Sequence, residues 1–385
     1  MKFENLNDSV VRDISKDEPE WFVQERLESL ESFNRTNDDS FKYGMTMKTD
    51  ISGIKISDYK SKVNIIVRNK DDRITVDDFK ESLEKNPGLI REYFMKKTKT
   101  KTELLHRALI QNGLVVYAPK NSKGGDNLML DYEFYGNSFN HLLVIADENS
   151  EVNIIERLRG SGVFHSNIVE VYAKENSKVN FYSLQDLDGN SGNFSVKRGF
   201  VSRNAECNFF NFEFGCLLNC SDVYSELDEE GSYSKVYGIY FTDKNQHFNL
   251  AYSMHHKAKN TNSNIFTKGV LEDMSNTIYR GLIKIHDNAE NSNGYQKEDT
   301  LILGDDAKAD SIPNLEIGNN DVKCSHGASI GHIDSDKLFY LKSRGISEKE
   351  CTKLIVNGFL GEVIDKINNE DFKLELKNKV MEKVK

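Results

Sequence analysis

A short motif that returns at a nearly fixed spacing constrains this chain more than anything else in it. Glu148-Asn149-Ser150-Glu151-Val152-Asn153-Ile154 is echoed by Glu175-Asn176-Ser177-Lys178-Val179-Asn180-Phe181, an offset of 176 − 149 = 27 residues. Asn204-Ala205-Glu206-Cys207-Asn208-Phe209 repeats the theme after 204 − 176 = 28 residues. Fainter echoes follow at Gly231-Ser232, Asn260-Thr261 and Asn288-Ala289. A unit this short cannot bury its own apolar face, so successive coils must stack and share a core. Strand alternation then points Val152/Ile154, Val179/Phe181 and Cys207/Phe209 inward and the intervening Asn outward. The expected architecture is a parallel β-helix. A β-sandwich or cupin-like roll also shows many short strands, but it needs no fixed repeat.

The β-rich texture runs from Gly113 to about residue 332, with strand-like segments at Leu114–Tyr117, Leu142–Ile145, Val179–Tyr182, Val236–Phe241, Leu282–Ile285 and Leu301–Leu303. Before it the chain is mixed. Ser15-Lys16-Asp17-Glu18-Pro19 reads as a helix start with capping-box spacing, followed by Phe22, Val23, Leu27 and Leu30 on one face. Residues 34–58 read as an irregular connection, Val63–Val67 as a strand, and 76–86, 88–97 and 101–112 as helices, with a break at Pro87-Gly88. After residue 332 helix returns. Asp334 or Ser335 can cap a helix that ends at Gly345. Ser347-Glu348-Lys349-Glu350 is a second capping box, leading into Cys351, Leu354, Ile355, Gly358, Phe359 and Val363, and an amphipathic stretch closes the chain from about Asp371. The organisation predicted is a helical and mixed region over 1–112, a β-helix over 113–332 and a helical region over 333–385. The helical ends are expected to cover the open coil edges, which otherwise invite aggregation.

Composition serves mainly to exclude. Lys+Arg is 51 and Asp+Glu is 61, a net charge of −10, which disfavours nucleic acid as a partner because phosphate binding needs a basic surface. No stretch approaches 18 apolar residues, so no membrane span is expected. The opening MKFENLNDSV has no apolar h-region and reads as no secretory signal. Five cysteines in 385 residues argue against a disulfide framework and for a reducing cytosol. Four prolines fit long regular elements.

The densest chemical candidate is Lys323-Cys324-Ser325-His326-Gly327. At i and i+2 on an extended segment, Cys324 and His326 share a face, where thiolate and imidazole can take a soft metal. The bland alternative is a packed Cys beside a hydrogen-bonded His. Cys216 and Cys220 lack further ligands nearby and read, like Cys351, as core. His255-His256 face opposite ways on a strand and cannot chelate together. Glu298-Asp299 and Asp305-Asp306 read as solvated turn acids, although carbohydrate-active β-helix enzymes do use carboxylate clusters. The single Trp offers no sugar platform. No Walker A loop, Gly-x-Gly-x-x-Gly, Gly-x-Ser-x-Gly or His-Glu-x-x-His occurs, so no nucleotide site or catalytic triad is expected.

The run Pro313-Asn314-Leu315-Glu316-Ile317, Asp321 through Ala328, Gly331, Asp334 and Leu338 through Ile346 resembles the SufB/SufD family of iron–sulfur cluster assembly scaffolds. His256 with Asn260-Thr261 and Ser263, Lys268-Gly269-Val270-Leu271, Gly281, and Glu18-Pro19-Glu20-Trp21 with Arg26-Leu27 fit the same pattern. The resemblance implies a right-handed parallel β-helix between helical ends and a non-catalytic role. It also implies an ABC-type ATPase partner, SufC, bound through the C-terminal helices; Phe339, Tyr340, Arg344 and Phe359 are the partner-binding residues expected there. A SufB-type subunit, or a second copy of this chain, would pair at the β-helix end, where a transient cluster or iron is held. SufB-type members place a Cys within the segment matching Gln296–Gly304, here at Glu298, and a Glu after the family His, here Gly327. Cys-Ser-His-Gly matches the SufD type, whereas Ile355-Val356-Asn357-Gly358-Phe359 looks somewhat SufB-like. The assembly residues implied are His326, then Cys324 and Glu298.

Overall fold

The computed structural model describes residues 1–36, 54–98, 100–125 and 127–384. The chain opens with β1 (Lys2–Phe3), α1 (Asp8–Ile14), α2 (Glu20–Arg35), β2 (Lys55–Ile56), β3 (Val63–Arg68), β4 (Thr75–Asp78), α3 (Phe79–Lys85), α4 (Pro87–Tyr93) and α5 (Lys101–Leu109). Sixteen strands follow without a helix: β5 (Asn112–Ala118), β6 (Leu128–Tyr135), β7 (Ser138–Ala146), β8 (Glu151–Ser161), β9 (His165–Ala173), β10 (Lys178–Leu187), β11 (Gly192–Val201), β12 (Glu206–Glu213), β13 (Leu218–Leu227), β14 (Tyr233–Thr242), β15 (His247–His256), β16 (Asn262–Leu271), β17 (Asn276–Ile285), β18 (Ser292–Ile302), β19 (Lys308–Ile317) and β20 (Val322–His332). Helices α6 (Ser335–Ser343), α7 (Glu348–Ile364) and α8 (Glu370–Lys383) close it.

Consecutive strands fall into two facing nine-stranded sheets, one running β20-β18-…-β6-β3 and the other β19-β17-…-β5-β4. All pairings from β5 to β20 are parallel, so the architecture is a β-solenoid. Val179 lies opposite Val152 and Cys207, and Phe181 opposite Ile154 and Phe209. All six side chains are buried in one continuous core between the sheets. The intervening Asn face the other way and form a ladder: Asn180 Nδ2 donates to Asn153 Oδ1 at 2.7 Å, and Asn208 Nδ2 to Asn180 Oδ1 at 2.8 Å.

The repeated Asn has a backbone cause. Asn149, Asn176, Asn204 and Asn260 sit at φ of 57°, 58°, 52° and 60°, the left-handed region that Asn tolerates better than other side chains. Gly231 takes the same place at φ 76°, where a Cβ would stand 2.3 Å from Asn204 Oδ1. The last echo is displaced. Ala289 N–H still closes the turn onto His286 O at 3.0 Å, but the left-handed residue is Asn291, and Asn262 pairs with Asn293, 293 − 262 = 31 residues on.

The helices do not cover the open coil ends as expected. Helices α7 and α8 lie along the outer face of the even-numbered sheet. There Val356, Leu360, Val363, Ile364, Phe372 and Leu376 pack on Tyr182, Leu184, Phe210, Phe212, Ile239, Phe241 and Val270. Each such side chain contributes roughly 1.5–3 kcal/mol of burial. The N-terminal helices instead cover the opposite sheet, where Phe22, Phe79, Leu83 and Ile90 meet Val115, Leu143, Ile145 and Ile168. The first coil is closed by antiparallel strands, β3 on β6 and β4 on β5. Among the described residues, the last coil, β19 and β20, has no strand beyond it.

Near the N-terminus Ser15 ends α1 rather than starting a helix, and Pro19 sits at the N-cap of α2 without a side-chain cap. Glu18 is used elsewhere: it accepts two hydrogen bonds from the buried Arg26 guanidinium, at 2.7 and 2.6 Å, which competes with any capping role. The helix expected over 76–86 begins only at Phe79, because Asp78 caps it and Thr75–Asp78 pairs as a strand. Those expected over 88–97 and 101–112 are the shorter α4 and α5. Most of the connection expected over 34–58 lies outside the described residues. Asp334 caps α6 through Asp336 and Lys337 N–H, Gly345 follows at φ 84°, and the Ser347/Glu350 capping box opens α7.

Candidate functional site at the open end of the solenoid

Strand β20 carries Cys324 and His326 and is the terminal strand of its sheet. Its partner β18 places Gly294 opposite Cys324, Gln296 opposite His326 and Glu298 opposite Ala328. With a side-chain period of two, these positions form the inward face of the last two strands of this sheet. Cys324 is half-buried against the core. Burial pushes its thiol up, partly offset by the Gly294 backbone. The glycine makes room for Ile283 beside it, since a Cβ at position 294 would lie 2.8 Å from Ile283 Cγ2. His326 is exposed, because no further coil covers it.

Glu298 departs from its reading as a solvated turn acid. It lies inside β18 and is 1% exposed. Its Oε1 accepts from Tyr240 Oη at 2.6 Å and from the Thr300 hydroxyl. Burial raises its carboxyl above the ordinary range, and the Thr300 and Tyr240 hydrogen bonds oppose that rise. The alternation of β18 explains the difference from its neighbour: Asp299 points outward, to Lys297 at 2.8 Å and Ser329 at 2.6 Å. Asp305-Asp306 do sit in an exposed turn.

Two motif glycines make the space for these polar groups. A Cβ at Gly269 would stand 1.9 Å from Tyr240 Cζ, and one at Gly281 would stand 2.4 Å from Gln296 Oε1. Gln296 Nε2 donates across the coil to Asn314 O at 2.9 Å. Tyr240 and Gln296 escaped the sequence reading. The unexplained glycines were the available signal, because strand interiors disfavour Gly unless another group approaches closely.

The other candidates are structural. Burial pushes the Cys216 thiol well up and that of Cys220 to about 12, while Cys207 and Cys351 are fully buried. His256 is buried, holds Thr261 Oγ1 at 2.8 Å and Ser263 Oγ at 2.7 Å, and is pulled down to about 4 by desolvation. His255 packs edge-on to Tyr224 at 4.6 Å. Among the described residues, no three His, Cys, Asp or Glu side chains stand together as a metal cradle. Cys324 and His326 therefore stand on the terminal strand, with Glu298 buried on the strand beneath it, without forming a closed ligand set.

The expected partner-binding residues divide. Phe339 and Tyr340 on α6 are 73% and 58% exposed, with Arg344 over the Tyr340 ring at 5.2 Å. Phe359 faces the sheet, half-buried, with Lys268 Nζ 4.3 Å from its ring centroid.

Comparison with known proteins bears on the same segment. A family model described as the SufBD core domain of SUF-system FeS cluster assembly matches residues 131–359, the greater part of the chain. The chain belongs to the SufBD family. Curated relatives named iron–sulfur cluster assembly SufBD family proteins include one from Staphylococcus saprophyticus, 27% identical over 92% of this chain and 88% of its own length. Another, from Staphylococcus aureus, is 28% identical over the same shares. A third, from Staphylococcus epidermidis, is 31% identical over 74% of this chain and 63% of its own. In this SufBD chain the matched region takes in the open coil and the first part of α7, including the outer-face contact Val356, and ends before Leu360. No described helix is long and apolar enough to cross a membrane.

Proposed function

We propose that this SufBD protein is the SufD-like, non-catalytic scaffold subunit of an ATP-dependent iron–sulfur cluster assembly complex in the cytosol. The observation that carries the reading is the exposed His326 on the last, uncovered strand, beside half-buried Cys324. A partner seated on that end, a SufB-type subunit or a second copy, would complete a ligand set that this chain leaves open. The nascent cluster or iron is cargo there. A neutral His326 imidazole would donate to iron, and a thiolate from the partner suits the soft cluster. Cys324 is the weaker donor, because its packing keeps the thiol protonated. Glu298 is a positioning group below the rim rather than a ligand, since it is 1% exposed and burial favours its protonated form. Gly327 after the His, and Glu298 where SufB-type chains carry a Cys, favour the SufD-like role.

ATP hydrolysis belongs to a SufC-type partner. Phe339, Tyr340 and Arg344 offer it an aromatic, cationic patch on the helical region from residue 333. Phe359 is a further candidate on the same helical region, although it faces the sheet and Lys268. Anaerobic co-expression with an ABC-type ATPase and a Cys-bearing paralogue tests the reading. A tagged chain should capture both; capture of neither overturns it.

A further inference from the structure

One buried cation joins α7 to the solenoid. Lys268 lies on the outer face of β16 and is 3% exposed. Its Nζ is 2.9 Å from Glu362 Oε2 on α7 and 3.9 Å from Asp299 Oδ2 on β18. The Phe359 ring of α7 covers it at 4.3 Å. Asp299 in turn accepts from Ser329 Oγ on β20 at 2.6 Å, and its Oδ2 meets Lys297 Nζ at 2.8 Å. A continuous polar chain therefore runs Glu362–Lys268–Asp299–Ser329, from a helix across three strands to the edge strand that bears His326.

The physics of a buried ammonium makes this chain a choice between two states. An unpaired cation in that position is costly, so Lys268 must keep a carboxylate. Two carboxylates are within reach, on different elements. If α7 shifts and takes Glu362 away, Lys268 closes on Asp299. Asp299 then turns toward Lys268 and loosens its hold on Ser329. We infer that Lys268 is a positioning residue whose exchange between Glu362 and Asp299 sets how tightly β20, and His326 with it, is held to the last coil. The link to the ATPase rests on the docking reading above; the relay itself does not.

Hydrogen–deuterium exchange on the full chain tests it without any partner. Glu362 is 61% exposed, so Glu362→Ala removes the charge with little effect on folding. The relay predicts exchange faster by about five-fold or more over residues 326–332, with α8 and the β8–β10 strands unchanged. Ser329→Ala breaks the far end and should abolish that response, as should Lys268→Met; Lys268→Arg should retain it. Unchanged exchange over 326–332 in Glu362→Ala overturns the inference, as does an undiminished response in the Ser329→Ala background. Adding the ATPase and ATP should quicken exchange over the same residues. If no ATPase binds, the docking reading falls while the partner-free result still decides the relay.

Discussion

Gly269 exists to admit Tyr240: a Cβ on the glycine would stand 1.9 Å from Tyr240 Cζ, and the ring it would strike carries the hydroxyl that holds Glu298. Tyr240 is fully enclosed and cannot step aside. Gly269→Ala should therefore cost about 2–3 kcal/mol by overpacking. Combining it with Tyr240→Leu should cost less than the sum of the two single changes, because the clash is shared. Urea unfolding of the four proteins checks this.

Glu298 gives a pH signature. Its folded carboxyl is raised by burial, so the folded state holds the proton more tightly than the unfolded state. The ionised form therefore costs stability, and the cost appears as pH rises through the unfolded value towards the folded one. Glu298→Gln should be near neutral at pH 4.5 and should stabilise increasingly as pH rises above it, levelling off beyond the raised folded value. Melting temperatures of both proteins across that range read the difference.

His256 gives the opposite slope. Desolvation holds it at about 4, against about 6.5 when unfolded. The unfolded state takes up the proton first, so stability is complete above the unfolded value and is lost as pH falls towards the folded one. The loss reaches about 3 kcal/mol near pH 4. In His256→Gln the slope of unfolding free energy between pH 6.5 and 4.5 should fall by about one proton.

The aromatic residues of the C-terminal region should separate by role. Phe339→Ala and Tyr340→Ala, at exposed positions, should leave stability within about 0.5 kcal/mol of the parent while weakening ATPase capture. Phe359→Ala, half-buried against the sheet, should cost about 2 kcal/mol. Unfolding curves and pull-down of the same three variants tell them apart.

The solenoid was legible because its constraint is local and repeated. Each coil must turn through the left-handed region, and Asn at 149, 176 and 204 marks the place. The family motif around Cys324 and His326 likewise lies in one unbroken run. Glu298 was misread because an acidic pair looks alike in a turn and in a strand. Only the register that sets Glu298 inward and Asp299 outward separates them. The placement of α7 and α8 along a sheet face, rather than over the coil end, was equally hidden. It depends on an apolar outer face, Tyr182, Phe210, Phe212 and Phe241, that looks the same as core in the sequence. The pairing of Lys268 with Glu362 spans 94 residues (362 − 268) and leaves no local mark.

The central claim is that His326, on the uncovered strand, receives cargo at a shared interface. The most direct measurement is iron and acid-labile sulfide per complex, after anaerobic co-expression of the parent or His326→Ala with the ATPase and a Cys-bearing paralogue. The account predicts that both forms assemble the same complex and that the variant loses most of its iron and sulfide. An intact complex with unchanged iron and sulfide in His326→Ala would contradict it.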